Sequence, residues 1–233
     1  MTPPITLLHG WGYRPAVWDG LIAHLGAEAH APALTPPGGD LAEWADSIAD
    51  DLAPGTTLVG WSLGAMLAMQ IAARRLDLVG RLVLIGATPR FVTSHDWPHG
   101  LDATTVAAFS EGFARQPART LQRFVALQVM NDAARGTIAP LLQSALADPQ
   151  IEAEALARGL HILAESDLRT TLPAHATPTL LVHGRHDALM PVAAAQWLAE
   201  RLKARLEIVE DAGHAPHASN PARIAERIRS FAC

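Results

Sequence analysis

Along the chain, short unbroken apolar runs alternate with longer stretches in which apolar residues recur every three or four positions. The runs at 5–8, 57–59 and 82–85 are each followed by glycine or a turn, and they read as strands buried on both faces. Residues 41–52 carry helical spacing, and residues 62–76 continue the second strand into a helix with no linker. Near the C-terminus the pattern returns: strands at 179–183 and 206–209, a helix at 192–202 between them and another at 221–231. Strands alternating with helices predict an α/β fold, a mostly parallel sheet with helices on both faces.

The middle of the chain breaks this alternation. From 89 to 167 there is no strand pattern, only helical spacing at 104–115, 117–130, 137–147 and 151–163. Pro117 and Pro149 stand where two of these helices begin, positions that need no N–H donor. An all-helical block between two stretches of one sheet predicts a core of residues 1–88 and 168–233, with residues 89–167 inserted as a helical cap over the sheet's edge.

Composition narrows the picture. The 233 residues are 49% hydrophobic with a net charge of −5, so the chain can bury a core and is not a disordered segment. A sequence pI near 6.1 argues against a bulk nucleic-acid binder. One cysteine, Cys233, leaves no disulfide framework. The apolar stretch 58–73 is interrupted by Gly60, Ser62, Gly64 and Gln70, so no membrane span is expected. The N-terminus lacks the basic, long-apolar pattern of a secretion signal, so a cytoplasmic address is expected.

The chemistry begins at Gly60-Trp61-Ser62-Leu63-Gly64. A G-x-S-x-G pattern alone is weak, but here it joins a strand to a helix. A sharp turn of that kind strains the central residue and projects its side chain above the sheet, while flanking glycines let the backbone pass closely. Ser62 is therefore the candidate nucleophile. A serine hydroxyl needs a base, and the base an orienting carboxylate.

Where a serine is presented on such a turn, the acid and then the histidine follow along the chain. Asp187, in the loop after the strand at 179–183, and His214, in the loop after 206–209, fit that order. All three would stand at the carboxyl edge of a parallel sheet, where ligands gather. His183, His186 and His217 compete for the role of base, and Asp211 and Asp167 for that of acid. His183 reads better as a packed or backbone-bonded ring, and Asp211 lies too near His214 along the chain. The His183, His186, Asp187 cluster lacks a second ligand set, so no metal and no cofactor is expected.

The loop after the first strand, His9-Gly10-Trp11-Gly12, falls where the second half of an oxyanion hole is needed. The backbone N–H groups of Trp11 and Leu63 are the expected donors.

These segments, with Gly184-Arg185-His186-Asp187-Ala188-Leu189-Met190-Pro191 and Ala212-Gly213-His214-Ala215-Pro216, resemble the carboxylesterases of the α/β-hydrolase fold. The Trp-Ser-Leu turn, the oxyanion-loop tryptophan and the segment 119–130 are most similar to the pimeloyl-[acyl-carrier protein] methyl ester esterases of biotin biosynthesis. The resemblance runs over nearly the whole chain. It implies a serine esterase that frees a carboxylate from a methyl ester on a carrier-bound acyl chain, through an acyl-Ser62 intermediate. It implies that Trp11, Ser62, Leu63 and His214, with Phe124, Val125, Ala126, Leu127 and Gln128, bind the substrate. A monomer is expected.

Acyl carrier proteins are acidic, and the cap offers arginines to meet one. Arg119 and Arg123 share a helix face, Arg135 follows, and between Arg115 and Arg135 the sole acid is Asp132. Four features depart from the family. The first strand begins almost at the first residue, so the family's preceding hairpin is expected to be missing; residues 36–40 replace the usual acidic, glycine-rich loop; Ala65 replaces a glycine; and Ala139 stands where a further arginine is usual. The last leaves room for a general short-acyl carboxylesterase, or a hydrolase of lactone or carbon–carbon bonds. A non-catalytic ligand receptor is disfavoured, since the triad and both oxyanion segments are present.

Overall fold

A computed structural model describes residues 3–173 and 177–232. Cys233 and the first two residues lie outside them. Six strands form one sheet: β1 (Ile5–Leu8), β2 (Ala29–His30), β3 (Thr56–Trp61), β4 (Val79–Ile85), β5 (Thr179–Gly184) and β6 (Arg205–Val209), in the order β2-β1-β3-β4-β5-β6. Every neighbouring pair is parallel. Strands β1, β3 and β5 are buried at every position, which is why they read as unbroken apolar runs.

Helices α1 (Asp19–Leu25), α2 (Leu41–Ala49), α3 (Leu63–Arg74), α8 (Val192–Leu202), α9 (Pro216–Ser219) and α10 (Pro221–Ala232) belong to the crossovers and the C-terminus. Asp40 caps α2, its side chain accepting from the N–H groups of Ala42 and Glu43. The sequence pattern missed β2 and α1. Two residues are too few to show alternation, and α1 buries only Leu21.

Between β4 and β5 lie α4 (Ala103–Arg115), α5 (Pro117–Gln128), α6 (Arg135–Ser144) and α7 (Pro149–Glu165), and none of them joins the sheet. Pro117 and Pro149 are the first residues of α5 and α7, as their missing N–H favours. The chain leaves the sheet and returns side by side: Arg90 Nη1 donates to Asp167 Oδ2 at 2.7 Å, and Arg169 holds the same carboxylate. The insertion is anchored on the core by Trp11, whose ring meets Phe109, Phe113 and Phe124 edge-on at 5.2–5.7 Å.

Parallel strands put their carboxyl ends at one edge. The turns after β3, β5 and β6, which carry Ser62, Asp187 and His214, therefore open on the same side, facing the insertion.

Candidate active site

Ser62 joins β3 to α3 with φ 58° and ψ −120°, a region L-residues rarely adopt. Its surroundings enforce that shape. A Cβ on Gly60 would lie 2.3 Å from the Gly64 carbonyl oxygen, and one on Gly64 would lie 2.1 Å from that of Leu8. Backbone, not side chain, fills both spaces, so both positions require glycine. The Ser62 N–H is tied to the Ile85 carbonyl at 3.0 Å. Only 2% of the residue is exposed.

His214 and Asp187 meet across 27 residues. Nδ1–H of His214 donates to Asp187 Oδ2 at 2.7 Å, and Oδ1 of the same carboxylate accepts from the N–H groups of Leu189 and Met190 at 2.9 and 2.8 Å. Because a carboxylate only accepts, the proton sits on Nδ1, and Nε2 is left with its lone pair. Nε2 is buried and has no hydrogen-bond partner among the described residues, the Ser62 hydroxyl included. Burial alone would raise the Asp187 carboxyl, but the His214 ring, its hydrogen bond and the neighbouring His183 outweigh it and hold the group ionised, below the usual carboxylate range.

The backbone of His214 is held from both sides. Its N–H donates to the Gln128 carbonyl at 2.9 Å, and its own carbonyl accepts from Trp61 Nε1 at 2.9 Å. Trp61 immediately precedes Ser62, and its ring lies 5.6 Å from that of His214. Gly86 follows Ile85, the acceptor of the Ser62 N–H; it has φ +53°, and a Cβ there would come within 3.1 Å of the imidazole. The imidazole thus packs against residues that adjoin Ser62 in the chain and across the sheet.

The loop after β1 passes over the serine: a Cβ on Gly10 would lie 3.2 Å from Ser62 Cβ. His9 fixes this loop as a neutral ring, Nδ1–H donating to the Gly10 carbonyl and Nε2 accepting from the Leu34 N–H at 3.3 Å. Burial lowers its pKa to about 4. Trp11 is anchored by Nε1 to the Leu156 carbonyl at 2.7 Å. Leu63 is the first residue of α3, so its N–H belongs to the unpaired set at a helix start.

Against Trp11 lies an apolar cavity of about 50 Å³, lined by Phe91, Phe109, Phe124, Leu127 and Leu189 among others. A groove of about 380 Å³ between α4 and α7 shares Val106 and Leu160 with it and carries Arg90, His161 and Glu165. Of the five residues expected along the acyl chain, Phe124 and Leu127 line the cavity. Ala126 does not: it is exposed on the far face of α5. Val125 is fully buried outside the lining, and Gln128 Oε1 accepts from the Tyr13 hydroxyl. Five successive residues turn through more than a full helical turn, so they cannot share one wall.

The rival residues are bonded to other groups, sealed in the core or exposed to solvent. His183 Nε2–H donates to the Met190 carbonyl at 2.7 Å, 3.4 Å from Asp187 Oδ2, and burial lowers its pKa. His217 is sealed between Trp18 and Trp61 and its pKa falls to about 3 by burial. His186 and Asp211 are exposed, and Asp167 pairs with Arg90 and Arg169. Among the described residues no three His, Cys, Asp or Glu gather as metal ligands. Arg119, Arg123 and Arg135 are exposed without an acidic partner among the described residues; Arg119 reaches only Gln116 Oε1, at 3.2 Å. Asp132, the acid among them, turns inward and is buried. Beyond a local turn with the Ala134 N–H, its partners Gly213 and Ser219, like that of Tyr13, lie far away in the chain, and no local spacing announces them.

The chain matches the model of the alpha/beta hydrolase family over residues 7–227. It is 45% identical to a pimeloyl-[acyl-carrier protein] methyl ester esterase of Aromatoleum aromaticum, covering 94% of both chains. It is 36% identical to one of Nitrosomonas europaea, covering 94% of this chain and 91% of the other. In three dimensions it is similar to an esterase from Exiguobacterium antarcticum, with a TM-score of 0.85 and 22% identity over 99% of this chain and 91% of that one, a likeness of fold.

Proposed function

Since the chain belongs to the alpha/beta hydrolase family and, within it, to the pimeloyl-[acyl-carrier protein] methyl ester esterases, we propose that it hydrolyses the methyl ester of a pimeloyl chain carried on acyl carrier protein, releasing methanol, in biotin biosynthesis. The 45% identity over 94% of both chains supports the substrate. The observation that carries the chemistry is the His214 imidazole, bound through Nδ1 to Asp187 and unpartnered at Nε2, behind a serine at φ 58°.

In this reading Ser62 Oγ attacks the ester carbonyl while His214 Nε2 takes its proton. The N–H groups of Leu63 and Trp11 receive the oxyanion, each such donor contributing about 3 kcal/mol to the transition state. The protonated imidazole then gives its proton to the departing methoxide. Water attacks the acyl-Ser62 ester by the same route, and Asp187 steadies the imidazolium throughout. The methylene chain suits the cavity beside Trp11, Phe124 and Leu127, whose walls are apolar but for Thr105. Residues 89–167 act as the cap, and Arg119, Arg123 and Arg135 are its contact with the acidic carrier. The triad comes from one chain, so a monomer suffices, and a carrier-bound substrate calls for the carrier's compartment, the cytoplasm.

The test is twofold. The protein should restore growth without biotin to a bacterium deprived of its own such esterase, and Ser62→Ala should not. Purified Ser62→Ala should lose hydrolysis of short p-nitrophenyl esters while keeping its fold. A well-expressed parent protein that hydrolyses those esters but fails to restore growth would replace this reading with a general esterase.

A further inference from the structure

Asp132 is the carboxylate that the Ser62, Asp187 and His214 reading does not use. It sits between α5 and α6, in the insertion, and only 5% of it is exposed. Its Oδ1 accepts from the Ala134 N–H at 2.8 Å, closing a local turn. Its Oδ2 accepts from the Gly213 N–H at 2.8 Å and from the Ser219 hydroxyl at 2.5 Å. It is paired with no cation among the described residues, so three donors alone offset the cost of burying the charge.

Two of those donors, on Gly213 and Ser219, flank His214 in the chain. The Gly213 N–H goes to Asp132, the His214 N–H to the Gln128 carbonyl, and the Asp211 carbonyl accepts from the Ala133 N–H at 2.9 Å. A Cβ on Gly213 would stand 2.5 Å from the Gln128 oxygen, so the two backbones lie flush. Of these links between the insertion and the histidine loop, the Asp132 side chain makes those to Gly213 and Ser219; the others are backbone to backbone.

We infer that Asp132 is a positioning residue for the reaction: from the cap, it holds the Gly213–His214 backbone so that the imidazole keeps its alignment between Asp187 and Ser62. The inference rests on the triad reading above. An amide in its place would keep the shape but has one acceptor oxygen for three donors: facing Gly213 and Ser219 it sets its NH2 against the Ala134 N–H, and facing Ala134 it sets the NH2 against the Gly213 N–H, so in either orientation the tie to the loop that carries the base is disturbed. Ground-state binding in the cavity beside Trp11 would be untouched, since Asp132 is not among its lining residues.

The experiment compares Asp132→Asn, Asp132→Ala and Ser219→Ala with the parent on a short p-nitrophenyl ester, with kcat expressed per site titrated to completion by a fluorophosphonate. Asp132→Asn should lose roughly ten- to a hundredfold in kcat, the scale of a misplacement of about 1 Å, with KM within about twofold. Ser219→Ala, which leaves two donors, should show a smaller loss with the same split. If Asp132→Ala does not fold, the other two decide. A kcat per titrated site equal to the parent's in Asp132→Asn, with only a lower melting temperature, overturns the inference. Ser62→Ala run in parallel separates the two failures: if it keeps turnover, the triad reading falls; if it is inactive while Asp132→Asn is normal, only this inference falls.

Discussion

Replacing Gly64 by alanine adds one methyl group at the tightest point of the turn. The new Cβ would lie 2.1 Å from the Leu8 carbonyl oxygen, 2.6 Å from its carbon and 2.7 Å from the His9 oxygen. A relaxed C···O contact needs roughly 3.3 Å, so the end of β1 must retreat by about 1.2 Å. No side chain can swing aside, because the obstructing atoms are all backbone. The segment that must move leads directly into His9-Gly10-Trp11, the loop that lies over Ser62. Two costs follow. Overpacking should take about 1–3 kcal/mol from stability. Displacing the Trp11 N–H, the proposed oxyanion donor, by about 1 Å should lower kcat roughly a hundredfold, with KM for a small ester nearly unchanged. Denaturant titration and steady-state hydrolysis of p-nitrophenyl acetate measure the two separately. Gly136→Ala, where an added Cβ meets nothing within 4 Å, is the control. Parent-like kcat and stability in Gly64→Ala would refute the claim that the glycine is a steric requirement of the turn.

Acid should destabilise the protein before its carboxylates titrate. His9 and His217 have pKa values lowered to about 4 and about 3 by burial, against 6.5 in the unfolded chain, so below pH 6.5 the unfolded state binds more protons. Each contributes stability that is present above pH 6.5 and lost as pH falls toward its folded value. Between pH 7 and pH 5 the two should remove about 4 kcal/mol together, read from urea midpoints; constant stability over that range would contradict the burial of neutral rings. Reversing charge with Arg119→Glu and Arg123→Glu should lower kcat/KM roughly tenfold for the carrier-linked ester and leave a free methyl ester unaffected. Equal losses on both substrates would remove these arginines from the carrier's docking surface.

The parts of the site that could be read in the sequence are those whose physics is local. Gly60, Ser62 and Gly64 are spaced by the steric demands of one turn, and apolar runs on either side identify the strand and helix it joins. Asp187 and His214 were legible through chain order and through their place after strands, although 27 residues separate them. Local pattern failed where a partner is distant. Asp132 read as one acid in a run of arginines, yet its partners Gly213 and Ser219 lie 81 and 87 residues away. Residues 124–128 read as one channel wall, but helical geometry turns Ala126 to solvent. The pair of residues in β2 was illegible because its place depends on β1 beside it, not on its own composition.

The 2% exposure of Ser62 and the complete burial of His214 carry a kinetic consequence. With so little of the serine open to solvent, the proposed reaction calls for a gating step in which the insertion parts from the sheet to admit an ester and closes over it again. The insertion is stapled at the histidine loop, at the Arg90–Asp167 crossing and, through Phe109 and Phe113 of α4, on the ring of Trp11. The speed of that motion sets a ceiling on throughput that no improvement of the proton relay can raise.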